Sequence, residues 1–240
     1  MSTLQAKDII FDQISTELFL GHNAIGVYMA LSEHSAKLTS SPYRQAFGII
    51  QRHALDAFIL SVCKLYEKPN QRYPNYSIPT TLELIKKDIP NLSLENLDIV
   101  KLVKFIQQKI DSNFAICQKD DISRIPTLIR DYFSLHCPQT PPRAGYELDG
   151  ILDALKVLRD KRVAHHENTD ISSMNTTDLN GALQLLAFGK TYINIVGYGF
   201  FGFSTNGIVS TDKFEPQKSV IWSELNLMIK VLEQADSADG

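Results

Sequence analysis

Several features are scarce in this sequence, and each scarcity excludes something. Its 240 residues hold three cysteines, Cys63, Cys117 and Cys137, scattered and in no CxxC pair. An odd, dispersed set of this kind is no disulfide framework; it reads as thiols used as small apolar fillers in a reducing compartment. Lys7, Asp8, Asp12 and Glu17 interrupt the apolar residues near the N-terminus, so no secretory leader is expected. The longest apolar run, YINIVGYGFFGF at 192–203, includes Asn194 and three glycines. It is short of the roughly 20 residues that a membrane span needs. Excess positive charge is lacking too: 24 Lys+Arg stand against 27 Asp+Glu, a net charge of −3. No global basic field draws in nucleic acid, so any RNA contact must come from a local patch. Long strand-like alternation, internal repeats and low-complexity tracts are absent. A soluble cytoplasmic protein with no membrane partner is expected, built as one large domain.

What is present is helical periodicity. With 44% hydrophobic and 21% charged residues the chain can bury a substantial core. Between Leu4 and Leu38 the residues Ile9, Ile10, Ile14, Leu18, Phe19, Ile25, Val27, Tyr28 and Leu31 recur at three- and four-residue intervals, with Gly21 and Gly26 as interruptions. Ser41 and Pro42 suit the start of a second helix carrying Phe47, Ile50, Leu55, Phe58, Ile59, Val62 and Leu65. A proline-rich loop at 67–80 precedes a short helix beginning near Thr80, and Ser93 opens a further helical stretch to about Cys117. Pro126 either sits in a first turn or breaks a helix. CPQTPPRAG (137–145) is a loop. A helix from about Tyr146 to His165 follows, then one capped by Thr177. The glycine-rich stretch 197–207 reads as an extended loop or short hairpin, and a last helix starts near Pro216. The fold class is all-α, an antiparallel helical bundle over 5–200, with a C-terminal loop and helix, 201–240, packed on it.

One segment concentrates chemistry: LRDKRVAHHENTD, residues 158–170. On a helix, Ile151, Leu155 and Leu158 make an apolar stripe that His165 continues, while Arg159 lies on the flank in line with Leu152. Lys156, Arg159, Lys161, Arg162, His165 and His166 outnumber Asp153, Asp160 and Glu167, giving a local basic patch. Histidine titrates near neutrality and can take and return a proton. Arginine presents a permanently charged fork to phosphate oxygens, and Asp160 can orient either group. RNA carries its own nucleophile, the 2′-hydroxyl, so a base and a cationic stabiliser suffice for transesterification without a metal. Arg159 and His165 are six residues apart and do not share a helical face. Either the long guanidinium swings into a common groove, or two copies of the helix meet across a two-fold axis. The plain alternative is a solvated helix end, whose cations gain about 0.3–1 kcal/mol each from the helix dipole. The HHE triplet directs its two histidines to different faces and has no second ligand cluster, so neither a metal nor a cofactor is expected.

RDKRVAH resembles the arginine–polar–histidine signature of HEPN domains, with Arg159, Asp160 and His165 in the three places. LRDKRVAHHE is further similar to the U-type abortive-infection branch of that superfamily. So is the upstream stretch from Ala54 to Ile85, where a helix ends in Leu65–Tyr66–Glu67. The resemblance covers about residues 5–200. It implies an all-α bundle, a homodimer with facing motif helices, and a metal-independent endoribonuclease of toxin or phage-defence kind acting on tRNA or mRNA. An antitoxin protein would be a further partner. Arg159, Asp160 and His165 would be catalytic, Arg162 and His166 accessory, and Lys156 and Lys161 RNA-binding. His166 stands as second candidate for the motif histidine. A non-catalytic module binding nucleotide, RNA or a protein is the alternative function.

Overall fold

The computed structural model describes residues 3–70, 75–89, 97–161, 176–201 and 223–230. These form α1 (Thr3–Asp8), a wide turn at Ile9–Ile14 that continues into α2 (Ser15–Glu33), then α3 (Ser35–Ser40), α4 (Arg44–Leu65), α5 (Ile78–Asp88), α6 (Ile99–Lys109), α7 (Lys119–His136), α8 (Glu147–Arg159) and α9 (Thr176–Tyr192). A second wide turn, Ile193–Gly197, leads into α10 (Tyr198–Phe201). A helical segment at 223–230, called α11 here, completes the described chain. No strand occurs among the described residues, and the fold is an all-α, HEPN-like helical bundle.

The centre of the bundle is the antiparallel pair α2–α4. Ile10, Ile14, Leu18 and Ile25 pack in one core with Leu55, Phe58, Ile59 and Val62. Gly21 does not break α2. A Cβ there would lie 3.4 Å from Cβ of Ser61 and 3.2 Å from Leu186 Cδ2, so the glycine lets α2, α4 and α9 approach closely. By length and composition α4 could cross a membrane, but its second half is the central core helix of the bundle, burying Phe58, Ile59, Val62, Cys63 and Leu65.

The remaining helices close around this pair. Phe133 of α7, fully buried, stacks on Phe105 at 5.5 Å and meets Tyr192 edge-on at 5.2 Å. Thr81 is also buried; its hydroxyl donates to the Ile78 carbonyl at 2.9 Å. A hydroxyl has a single proton, so at the 2.6 Å contact the Tyr192 hydroxyl donates to Thr81.

Several boundaries differ from the sequence reading. The helix at 78–88 is capped by Ser77, whose oxygen accepts from the Thr80 N–H, with Pro79 in the first turn. Asp98 caps α6, which ends at Lys109 and not near Cys117; Ser93, where a helical stretch was expected to open, lies outside the described residues. Pro126 lies inside α7, which continues through it to His136. The start of the glycine-rich stretch is helical, not extended: residues 197–201 belong to the second wide turn and α10. Burial decides this, because Val196 and Phe200 enter the core and Gly199 sits where a Cβ would come within 2.2 Å of Leu102. Cys63 and Cys137 fill the core as expected, whereas Cys117 is exposed.

Candidate functional site

The helix α8 carries the first half of the basic segment. Its buried residues are Asp149, Leu152 and Leu155, while Ile151 and Leu158 are half-buried and Ala154 is exposed. The buried stripe is therefore rotated from the expected Ile151–Leu155–Leu158 line. It runs Leu152, Leu155, Arg159, at intervals of three and four residues. Arg159 is thus the polar end of the core-facing stripe and not a flank residue; its side chain is only 24% exposed. Close packing on α9 fixes this rotation: a Cβ on Gly181 would fall 2.2 Å from Ile151 Cδ1.

The stripe points Arg159 at the end of α4. Its Nη1 donates to Glu67 Oε1 at 2.9 Å. Nε and Nη2 both reach Asp160 Oδ1, at 2.9 and 2.8 Å. Asp160 therefore orients the guanidinium of its own neighbour. One turn earlier, Lys156 is half-buried. Its ammonium donates to the Thr140 hydroxyl at 3.2 Å and approaches the Tyr66 carbonyl at 3.5 Å. Among the described residues it forms no ion pair with a carboxylate. Burial and then the neighbouring Arg159 charge push its pKa down. Beneath both cations lies the Cys63 thiol, which burial pushes up to about 11 although Arg159 and Lys156 oppose the rise. At neutral pH it is a neutral thiol and part of the packing.

Thr140 reaches Lys156 because the loop 137–145 is rigidly tied. Asp149, 1% exposed in the first turn of α8, accepts from the backbone N–H groups of Gln139 and Arg143, at 3.0 and 3.1 Å. It also takes two hydrogen bonds from the Arg143 guanidinium. The same guanidinium donates to the carbonyls of Leu135 and Cys137, at 2.6 and 2.9 Å, and lies over the Tyr146 ring. Burial opposes ionisation of Asp149, but these hydrogen bonds outweigh it and hold the carboxyl below its usual range. Gly145, at φ 81°, turns the chain into α8.

Of the residues singled out in the sequence, Lys156, Arg159 and Asp160 are brought together. Lys161 is exposed. Arg162, His165 and His166 lie outside the described residues. Sequence reasoning missed Thr140 and the part Asp149 plays in holding it. Glu67 had a signal, since it ends the Leu65–Tyr66–Glu67 triplet. No group of three His, Cys, Asp or Glu side chains able to hold a metal is found among the described residues.

An all-α bundle, without strands among the described residues, fits a HEPN-like domain. A family model confirms that class. The AbiU2 HEPN model matches residues 9–133, just over half of the chain, and the protein belongs to that family. The membership sets it in an abortive-infection, phage-defence context. The match contains Glu67 but ends before Lys156, Arg159 and Asp160. No curated protein and no solved structure matches the chain.

Proposed function

We propose that the protein is a metal-independent endoribonuclease of toxin or phage-defence type, acting as a cytoplasmic homodimer on tRNA or mRNA. In this reading His165 withdraws the proton from a ribose 2′-hydroxyl, the oxygen attacks the adjacent phosphorus, and the P–O5′ bond breaks. The 5′-oxygen leaves with a proton, and the other fragment ends in a 2′,3′-cyclic phosphate. Arg159 stabilises the charge growing on the phosphate oxygens, Asp160 orients it, and Lys156 adds a second cation. Arg162, His166 and Lys161 assist along the strand, and an antitoxin protein restrains the enzyme. The observation that carries the reading is the Arg159 guanidinium, three-quarters buried and aimed by two carboxylates, beside a lysine with no carboxylate of its own. Such preorganisation suits recognition of an anion better than it suits a solvated helix end.

One feature favours a second reading. Arg159 is already paired twice, so a phosphate must displace a carboxylate to reach it. A non-catalytic module that binds RNA, nucleotide or a protein has no such need. Incubation of total RNA and of tRNA with purified protein in EDTA, beside His165→Ala, separates the two. The ribonuclease reading expects cleavage by the parent alone, with cyclic phosphate ends. Equal cleavage by His165→Ala removes the histidine assignment. A folded dimer that cleaves nothing across a broad substrate set leaves the binding module.

A further inference from the structure

Beside the two cations lies a cavity of about 230 Å³ that the reading above does not use. It opens between the end of α4, one face of α5 and the junction of α7 with the tied loop. Tyr66 belongs to its wall, and the Tyr66 carbonyl is the atom 3.5 Å from the Lys156 ammonium. Gln139, also in the wall, precedes Thr140, the other partner of Lys156. Lys156 is not itself in the wall; it reaches the wall through Tyr66 and through Thr140, and Arg159 lies one helical turn further along α8. The volume is below the roughly 300–1,000 Å³ of sites that enclose whole drug-sized ligands; it suits one flat ring system.

The chemistry of the wall narrows the occupant. Pro79, Leu82 and Pro138 offer apolar surface to the faces of a ring. The polar groups are the Glu83 carboxylate, which only accepts when ionised, and the Lys68 and Lys86 ammoniums, which only donate. Neither Glu83 nor the two lysines makes an ion pair among the described residues, so their hydrogen-bonding capacity faces solvent and the cavity. Unstacked RNA bases are read along their hydrogen-bonding edges in such pockets. Of the four bases, guanine alone sets two adjacent N–H donors, N1 and N2, beside two acceptors, O6 and N7. A single carboxylate can take both donors while a lysine reaches O6 or N7.

We infer that this cavity is a base-recognition subsite for guanine, holding the nucleotide whose 3′-phosphate lies on Lys156. The inference rests on the ribonuclease reading for the identity of the strand, and it adds a sequence preference: cleavage on the 3′ side of guanosine.

The test is binding of the 3′-monophosphates of guanosine, adenosine, cytidine and uridine to the full chain, by calorimetry, which needs no turnover. Guanosine 3′-monophosphate is expected to bind about tenfold more tightly than the other three, the discrimination typical of one bidentate base contact. Glu83 is exposed, so Glu83→Gln leaves folding intact; it should abolish the preference, because an amide cannot accept both guanine donors. Lys156→Ala should weaken all four nucleotides alike, as loss of a phosphate contact does. Equal binding of the four nucleotides, or a guanine preference that survives Glu83→Gln, overturns the inference. A guanine preference lost with Glu83→Gln, in a protein that cleaves no RNA, upholds the subsite and sinks the ribonuclease reading instead.

Discussion

Arg159, at the end of α8, and Glu67, just beyond the end of α4, form an ion pair of 2.9 Å that joins two stretches 92 residues apart in the chain. Each stretch carries part of the family resemblance, and the pair is where they meet. Glu67 is 34% exposed and Arg159 24%, so the pair is screened by solvent and its contribution to stability is small, about 1 kcal/mol or less. Its larger consequence is competition. A phosphate approaching the guanidinium displaces Glu67, and neutralising that carboxylate removes the competitor. Glu67→Gln is expected to tighten binding of a short oligoribonucleotide several-fold, and Arg159→Ala to weaken it. Fluorescence anisotropy at fixed salt reads both, and weaker binding by Glu67→Gln would show that the carboxylate orients more than it competes.

Asp149 is the opposite kind of carboxylate, buried and fully engaged. Its hydrogen bonds depress the folded-state pKa, so its stabilising contribution is complete above the unfolded value of about 3.9. That contribution is lost as the pH falls through the folded value. Removing one partner of such a buried pair costs about 3 kcal/mol. Asp149→Asn should accordingly lower the urea midpoint at pH 7, and the gap to the parent should shrink as the pH drops below 4. A gap that stays constant from pH 7 to pH 3 would assign the loss to packing and not to charge.

Much of the architecture was legible because burial follows helical period. Most of the α2 and α4 core residues, and the loop at 137–145, stand where spacing and turn residues put them; Phe19 and Ile50, counted with the apolar set, are exposed. The α8 stripe did not. Counting from Ile151 ignores that Gly181 admits α8 closely to α9 on the Ile151 side, which rotates Leu152 and Arg159 inward. Residues 197–201 misled for a related reason. Glycines there signal close approach to Leu102 and not a turn, and a single sequence does not distinguish the two. In the site itself, Lys156, Arg159 and Asp160 carried a signal as a patch. Thr140 had none, because its place depends on Asp149 and Arg143 folding the loop back on α8.

The cysteines divide by environment. Burial pushes the Cys63 thiol up to about 11 and the Cys137 thiol up to about 12, and both are in the core; Cys117 is exposed. The thiolate is the reactive form. Iodoacetamide at pH 8 should modify Cys117 alone in the native protein and all three cysteines in denaturant. Peptide mass spectrometry reads the outcome, and modification of Cys63 at a rate near that of Cys117 would mean that the α4–α8 end opens readily.

The described part of the C-terminal region packs far from Arg159. Ile229 of α11 is 1% exposed and sits with Leu31 and Phe47 in a small second core, and His34 Nε2 is 2.7 Å from Asn226 Oδ1. Cys63 is sixteen positions beyond Phe47 on α4, about 24 Å along the helix at 1.5 Å per residue. Sites so far apart with no shared partner contribute independently. Ile229→Ala is expected to cost about 2 kcal/mol, the low end for a buried isoleucine because the cluster is small and at the surface. It should leave oligoribonucleotide affinity unchanged. A fall in thermal midpoint with constant affinity is the outcome that keeps α11 a structural clasp of the α2–α4 hairpin. A change in affinity as large as that of Arg159→Ala would instead make this clasp a remote control on the α8 end of the bundle.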